Sequence, residues 1–304
     1  MRLLPVMLVV VMTLTQLGAA SGDLLPGDGY TPTQARQMVA SGDGRIVPTL
    51  MKWLDRGFNA GTAPSGDERL WIAIDGIGAF GVDEAGPTLV SLYRRPATKT
   101  STKSSIAIAA ARMPSKRSAK FLKELVNDPQ LSDRARYSAA AGLVQLGDET
   151  ARVVLIKGYK QYLVDISTKH SWNQDVRDIL EKLYDVPIMA QIEQLTPDQT
   201  DQRAKNNITT LLERMEINSL SVDELFKLAE NTNWQQGSYK RYPAIEELGE
   251  KGTPEVIDRI KAIAPWASVD SGAVQIQQKF LEDYKTKAIA RIRQRSYNAE
   301  KTKR

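Results

Sequence analysis

Between Ala85 and Lys123 the chain carries nine basic side chains and no acidic one. They are Arg94, Arg95, Lys99, Lys103, Arg112, Lys116, Arg117, Lys120 and Lys123. Unopposed positive charge attracts anions at a distance, and its guanidinium and ammonium groups then donate hydrogen bonds to carboxylates, sulfates or phosphates. Lys116, Lys120 and Lys123 recur at helical spacing, so they are expected to share one face of a helix. Phe121 and Leu122 would then point the other way, into a core. A second basic segment, Lys285–Arg304, holds eight bases against Glu300. Such runs are often only solvated faces and tails. Read functionally, they fit an acidic protein patch, an anionic polysaccharide or a lipid headgroup surface.

Catalytic chemistry has little to work with. The chain contains no cysteine and one histidine, His170. Thiolate nucleophiles, disulfides and multi-histidine zinc sites are therefore excluded within one chain. His170 lies in the polar stretch STKHSWNQ and could be a general base. Without an identifiable serine or acid partner it reads as a surface residue. Glu246–Glu247 and Glu282–Asp283 are adjacent on helices and point in different directions, whereas a two-carboxylate hydrolase needs its acids across a cleft. The glycines of DGIGAFG (75–81) lack the preceding strand of a dinucleotide-binding turn and read as packing glycines. The tryptophans Trp53, Trp71, Trp172, Trp234 and Trp266 could line a groove. Trp71 shares a column with Tyr137 and belongs to packing, whereas Trp234 falls in an expected loop. NNIT (206–209) matches a glycosylation acceptor at Asn207, but it sits in an expected helix. No catalytic residue, metal site or cofactor is assigned.

What positions the basic residues is an internal repeat. Residues 71–89, 104–122 and 137–155 superpose in register at shifts of 33. Phe80, Met113 and Leu146 form one column, and Gly81, Pro114 and Gly147 the next. Leu89, Leu122 and Leu155 form a third, and Ile77, Ala110 and Leu143 a fourth. A further copy at 242–260 aligns Ala244, Leu248, Gly252 and Ile260 with Ala139, Leu143, Gly147 and Leu155. Each unit reads as helix, tight turn, helix. The first helix stops at the Gly/Pro column, because glycine permits the left-handed turn and proline cannot continue a helix. Asp148 and Thr253 stand where an N-cap is wanted, with Pro254 at the favoured first position. Ala139, Ala140 and Gly142 let neighbouring helices approach, with Leu143 and Leu146 filling the space between them. One unit cannot bury such a face alone; a stack of units can.

The texture Tyr137, Ala140, Leu143, Leu146, Gly147, Asp148, and again Tyr242, Ile245, Leu248, Gly252, resembles the short bacterial HEAT-like repeat family. The resemblance covers 67–163 and 238–265. It implies an all-α fold, a right-handed α-solenoid of stacked helix pairs. It also implies partners along a concave side and a non-enzymatic scaffold. Some bacterial HEAT-like proteins are lyases acting on bilins, so an enzyme or accessory subunit is the alternative. Those proteins work in the cytoplasm.

The remaining segments are also helical. Thr196-Pro197-Asp198-Gln199 and Ser221-Val222-Asp223-Glu224 are capping boxes opening helices near 197–216 and 221–231. Residues 174–184 carry apolar groups at helical spacing, and 273–296 form a long amphipathic helix suited to capping the array. The expected divisions are 21–66, an N-terminal helical segment and linker; 67–163, the repeats; 164–237, their continuation; and 238–304, a last repeat, long helix and basic tail.

Residues 1–20 read as a secretory signal: Arg2, an apolar run from Leu3 to Leu14, and small residues Gly18 and Ala20 before Ser21. The run is short for a bilayer span, which takes about 20 residues, and no later stretch is apolar enough. A periplasmic or secreted protein is expected, with a protein or anionic surface as partner. Nucleic acid would match the charge, but export argues against it. The expected mature chain starts at or near Ser21. Mass spectrometry of the exported protein checks this, and an intact Met1 on a membrane-bound product would contradict it.

Overall fold

The computed structural model describes residues 29–59, 68–168, 174–196, 201–232, 234–265 and 271–302. The described residues are helical, with no strand. The helices are α1 (Pro32–Ser41), α2 (Val47–Asn59), α3 (Glu68–Phe80), α4 (Gly86–Arg94) and α5 (Thr100–Ala111). They continue as α6 (Ala119–Asn127), α7 (Asp133–Gln145), α8 (Glu149–Thr168), α9 (Asp175–Leu180) and α10 (Val186–Glu193). The last five are α11 (Gln202–Ile217), α12 (Val222–Ala229), α13 (Trp234–Lys251), α14 (Ile257–Ala262) and α15 (Ser271–Thr302). None is long and apolar enough to cross a membrane.

The helix pairs stack as a solenoid. Each odd-numbered helix from α1 to α13 packs on the next odd one, and the even helices flank them. The aligned columns explain this packing. Ile77, Ala110 and Leu143 are buried, as are Leu89, Leu122 and Leu155. Ala139 and Ala140 are fully covered, and Gly142 faces the Ala111 backbone of α5. Gly81 and Gly147 take the left-handed turn, at φ 66° and 83°. Ala244, Leu248 and Ile260 are likewise buried. Leu146 departs from its column: Phe80 and Met113 are buried, but Leu146 is 36 % exposed. The reason is a long-range contact. Phe80 is covered by the Tyr297 ring of α15, 5.8 Å away and edge-on, and α15 packs chiefly on α1, α3 and α13.

Capping follows the local chemistry. The Asp148 carboxylate accepts from Ala151 N–H at 3.1 Å at the start of α8, and Ser221 and Glu224 form the expected box on α12. Thr253 makes no side-chain cap, and a short 3-10 turn at Pro254–Val256 precedes α14. The Thr196–Gln199 box lies largely outside the described residues; α11 opens instead at Gln202, with Asp201 accepting from Arg203 N–H at 2.7 Å. Trp234 begins helix α13 rather than sitting in a loop.

α15 does more than cap one end. It packs on α13 and α14 through Leu281, Ala288 and Ile292, then on α1 and α3, the beginning of the array. The stack of odd helices is thereby closed into a circuit. The approach to α1 is so close that a side chain at Gly42 would clash with the Ala290 carbonyl oxygen. Gly42 also has φ 72° and ends α1, so a side chain there is excluded twice over.

Leu143 is 3 % exposed, so Leu143→Ala should lower stability by about 2–5 kcal/mol. Leu146→Ala, at the rim of the same helix, should cost less than about 1 kcal/mol. Chemical denaturation of both variants checks the contrast; equal losses would mean that the register is wrong.

Candidate functional site

The interval 85–123 is acid-free in sequence, but folding brings acids to it from outside. Arg94 pairs with Glu124 at 2.6 Å, Arg112 with Asp75 at 2.9 Å, and Lys123 with Asp148 at 2.8 Å. The Lys103 ammonium lies 5.3 Å from the centre of the Tyr93 ring. Burial pushes the nearby Asp128 carboxyl up, but hydrogen bonds from the Tyr93 hydroxyl and the Gln130 N–H, with a smaller contribution from the Lys103 charge, hold it below the ordinary carboxylate range. Arg95 is half-buried at the end of α4. The nine residues therefore do not form one uninterrupted patch.

The pairs share a logic. Asp148 caps α8 and is held by Lys123 from α6. Asp185 caps α10 and takes a two-pronged contact from Arg152 of α8 at 2.9–3.1 Å. In each case the acid that starts one flanking helix is tied to a base on the preceding one. The Asp148 carboxyl is accordingly held below its usual range, chiefly by the hydrogen bond from Lys123.

Lys99, Lys116, Arg117 and Lys120 are exposed and have no ion-pair partner among the described residues. Lys116 does not share a helix face with Lys120 and Lys123. Pro114 and a Ser115–Ser118 hydrogen-bonded turn hold it ahead of α6, which begins at Ala119. Phe121 and Leu122 do point into the core.

The second basic segment is spent differently from a free tail. Arg291 donates to the Ala79 carbonyl at 2.8 Å and to Glu250 at 2.9 Å. Arg293 reaches the Ser41 carbonyl, and Gln294 the Val39 carbonyl at 2.8 Å. Arg295 donates to the Gly249 and Glu250 carbonyls. Asn298 donates to the Phe80 and Gly81 carbonyls. These acceptors lie at the C-terminal ends of α1, α3 and α13, where backbone carbonyls lack helical partners and the helix dipole is negative. Glu247, on the same end of α13, is pushed up to about 7 by burial despite Lys251 at 3.8 Å.

Closure brings the two basic segments together. Arg112, Pro114, Arg291, Arg295, Asn298 and Asp83 line a cavity of about 230 Å³ where the ends of α3 and α5 meet α15. Arg291 and Arg295 are committed to the wall by their carbonyl bonds. Arg112 is the available donor, because its ion pair with Asp75 is open to solvent, and such a pair is worth little in water. A ligand carboxylate could replace Asp75. Sequence reading singled out Arg112 and missed Arg291 and Arg295 as its neighbours. Their only signal was membership of the basic tail.

The other singled-out residues are placed as follows. His170, Trp172 and Trp266 lie outside the described residues. Trp53 is buried and Trp71 half-buried on α3. Gly76 and Gly78 are buried inside α3. Asn207 bridges Tyr159 and Tyr162 at 2.8 and 3.0 Å. Glu246 lies 3.7 Å from Lys182, and Glu282 pairs with Lys285 at 2.9 Å.

No family model matches the chain, and no curated protein matches it. Among solved structures, the complex of CpcE and CpcF of phycocyanin lyase from Nostoc sp. PCC7120 is similar, with a TM-score of 0.40 and 16 % identity. The match covers 92 % of this chain and 98 % of that one. The functional reading rests on the chain's own residues.

Proposed function

We propose that this chain is an exported, non-enzymatic helical-repeat scaffold of the HEAT-like type that binds an acidic surface of a partner protein. One observation carries the reading: two basic segments far apart in sequence meet at the recess lined by Arg112, Arg291 and Arg295. The chain leads from this recess straight to the unpaired Lys116, Arg117 and Lys120. The recess favours a protein over a flat anionic surface, because a protruding aspartate or glutamate can enter it and a headgroup layer cannot. An arginine fork at its wall suits a carboxylate geometrically as well as electrically.

Such attraction is screened, with a Debye length of about 8 Å at physiological salt. Polyglutamate serves as the acidic polypeptide probe, with anionic vesicles and an anionic glycan in parallel. Polyglutamate should bind at low salt and dissociate as salt rises. A Lys116→Glu, Arg117→Glu, Lys120→Glu variant should lose binding by about tenfold or more. Binding by vesicles or glycan but not polyglutamate would replace the partner class. Equal polyglutamate binding by the variant would reject the surface.

A further inference from the structure

A second cleft lies away from the cationic recess. It occupies about 320 Å³ between α9 and α11 and is lined by Arg177, Glu181, Thr210, Glu213, Arg214 and Ile217. This volume is at the lower end of the range of small-molecule sites, roughly 300–1,000 Å³. Its charges are mixed and incompletely paired. Arg177 and Glu181 form an ion pair at 2.7 Å, each with a side chain only 19 % exposed. The Arg177 Nε–H is nonetheless buried without an acceptor among the described residues. Glu213 and Arg214 are half-buried on α11, and neither has an ion-pair or hydrogen-bond partner through its side chain among the described residues. Other half-buried charges are matched across helix contacts, as at Arg152–Asp185, or within one turn, as at Arg177–Glu181. Glu213 and Arg214 thus place an unmatched carboxylate and an unmatched guanidinium on one cleft wall.

We propose that this cleft binds a small zwitterion of the α-amino acid type. Its carboxylate would be received by Arg214, and its ammonium by Glu213 with Glu181 alongside. An anion alone would leave Glu213 unmatched and face two carboxylates; a cation alone would leave Arg214 unmatched. Only a ligand with both charges satisfies both groups. Buried Ile217 supplies an apolar contact for a side chain.

Isothermal titration of the full chain with free α-amino acids, their N-acetyl forms and their amides tests this. At least one free amino acid should bind saturably, and its N-acetyl and amide forms should bind at least about tenfold more weakly. Glu213→Gln and Arg214→Gln should each weaken binding to a similar degree, with unchanged circular dichroism and melting temperature. Lys120→Gln, on the cationic surface, should leave it unchanged. No heat from any free amino acid up to about 10 mM would overturn the proposal. So would equal binding of the blocked forms, or undiminished binding by both cleft variants.

Discussion

Helix ends are the constraint around which this molecule is built. A helix leaves its last carbonyls without backbone donors, and its C-terminal end carries partial negative charge. Here α1, α3 and α13 present those ends to a single helix, α15. Along α15, Arg291, Arg293, Gln294, Arg295 and Asn298 supply donors to all three. Leu281, Ala288 and Ile292 of the same helix sit in the core with α13. Tyr297 covers Phe80 of α3. One helix therefore joins the last units to the first, and an array that would otherwise expose its end faces has them covered.

The same economy governs the charged residues of the middle units. Lys123–Asp148 and Arg152–Asp185 each tie a helix-capping acid to the preceding flanking helix. A cap alone is worth about 1 kcal/mol; here the capping acid also couples neighbouring units. Basic residues are consumed by this stitching, and within the acid-free interval those left over are Lys99, Lys116, Arg117 and Lys120. The cationic surface is thus what remains after the repeat has used the charges it needs, enlarged by the arginines that closure delivers.

Much of this was legible in the sequence because it is local or periodic. The columns Ile77/Ala110/Leu143 and Leu89/Leu122/Leu155 are buried because each unit repeats the same packing problem. The Gly81 and Gly147 turns and the Ser221 box depend on a few adjacent residues. The closure was not legible, because Arg291 with Ala79 and Asn298 with Phe80 are contacts between opposite ends of the chain. No spacing rule encodes them. α15 also uses two faces, one with Leu281, Ala288 and Ile292 and another with Ala290, Gln294 and Tyr297, so its pattern resembles an ordinary amphipathic cap. The acid-free interval misled for the same reason: Asp75 and Asp148 are close in space and invisible in a window of sequence. Leu146 matched its column in type but not in burial: Tyr297 of α15 covers Phe80, and α7 is not among the helices on which α15 chiefly packs.

The central claim is that α15 returns to α1 and α3. The chain has no cysteine, so Ala299→Cys, at an exposed position next to Asn298, introduces a unique site for a nitroxide label. Paramagnetic broadening of backbone amide signals then reports which segments lie beside it. The closed circuit predicts strong broadening around Phe80–Gly81, with α1 and α3 affected alongside neighbouring α15 residues. Broadening confined to α13 and α15, with α1 and α3 untouched, would contradict it.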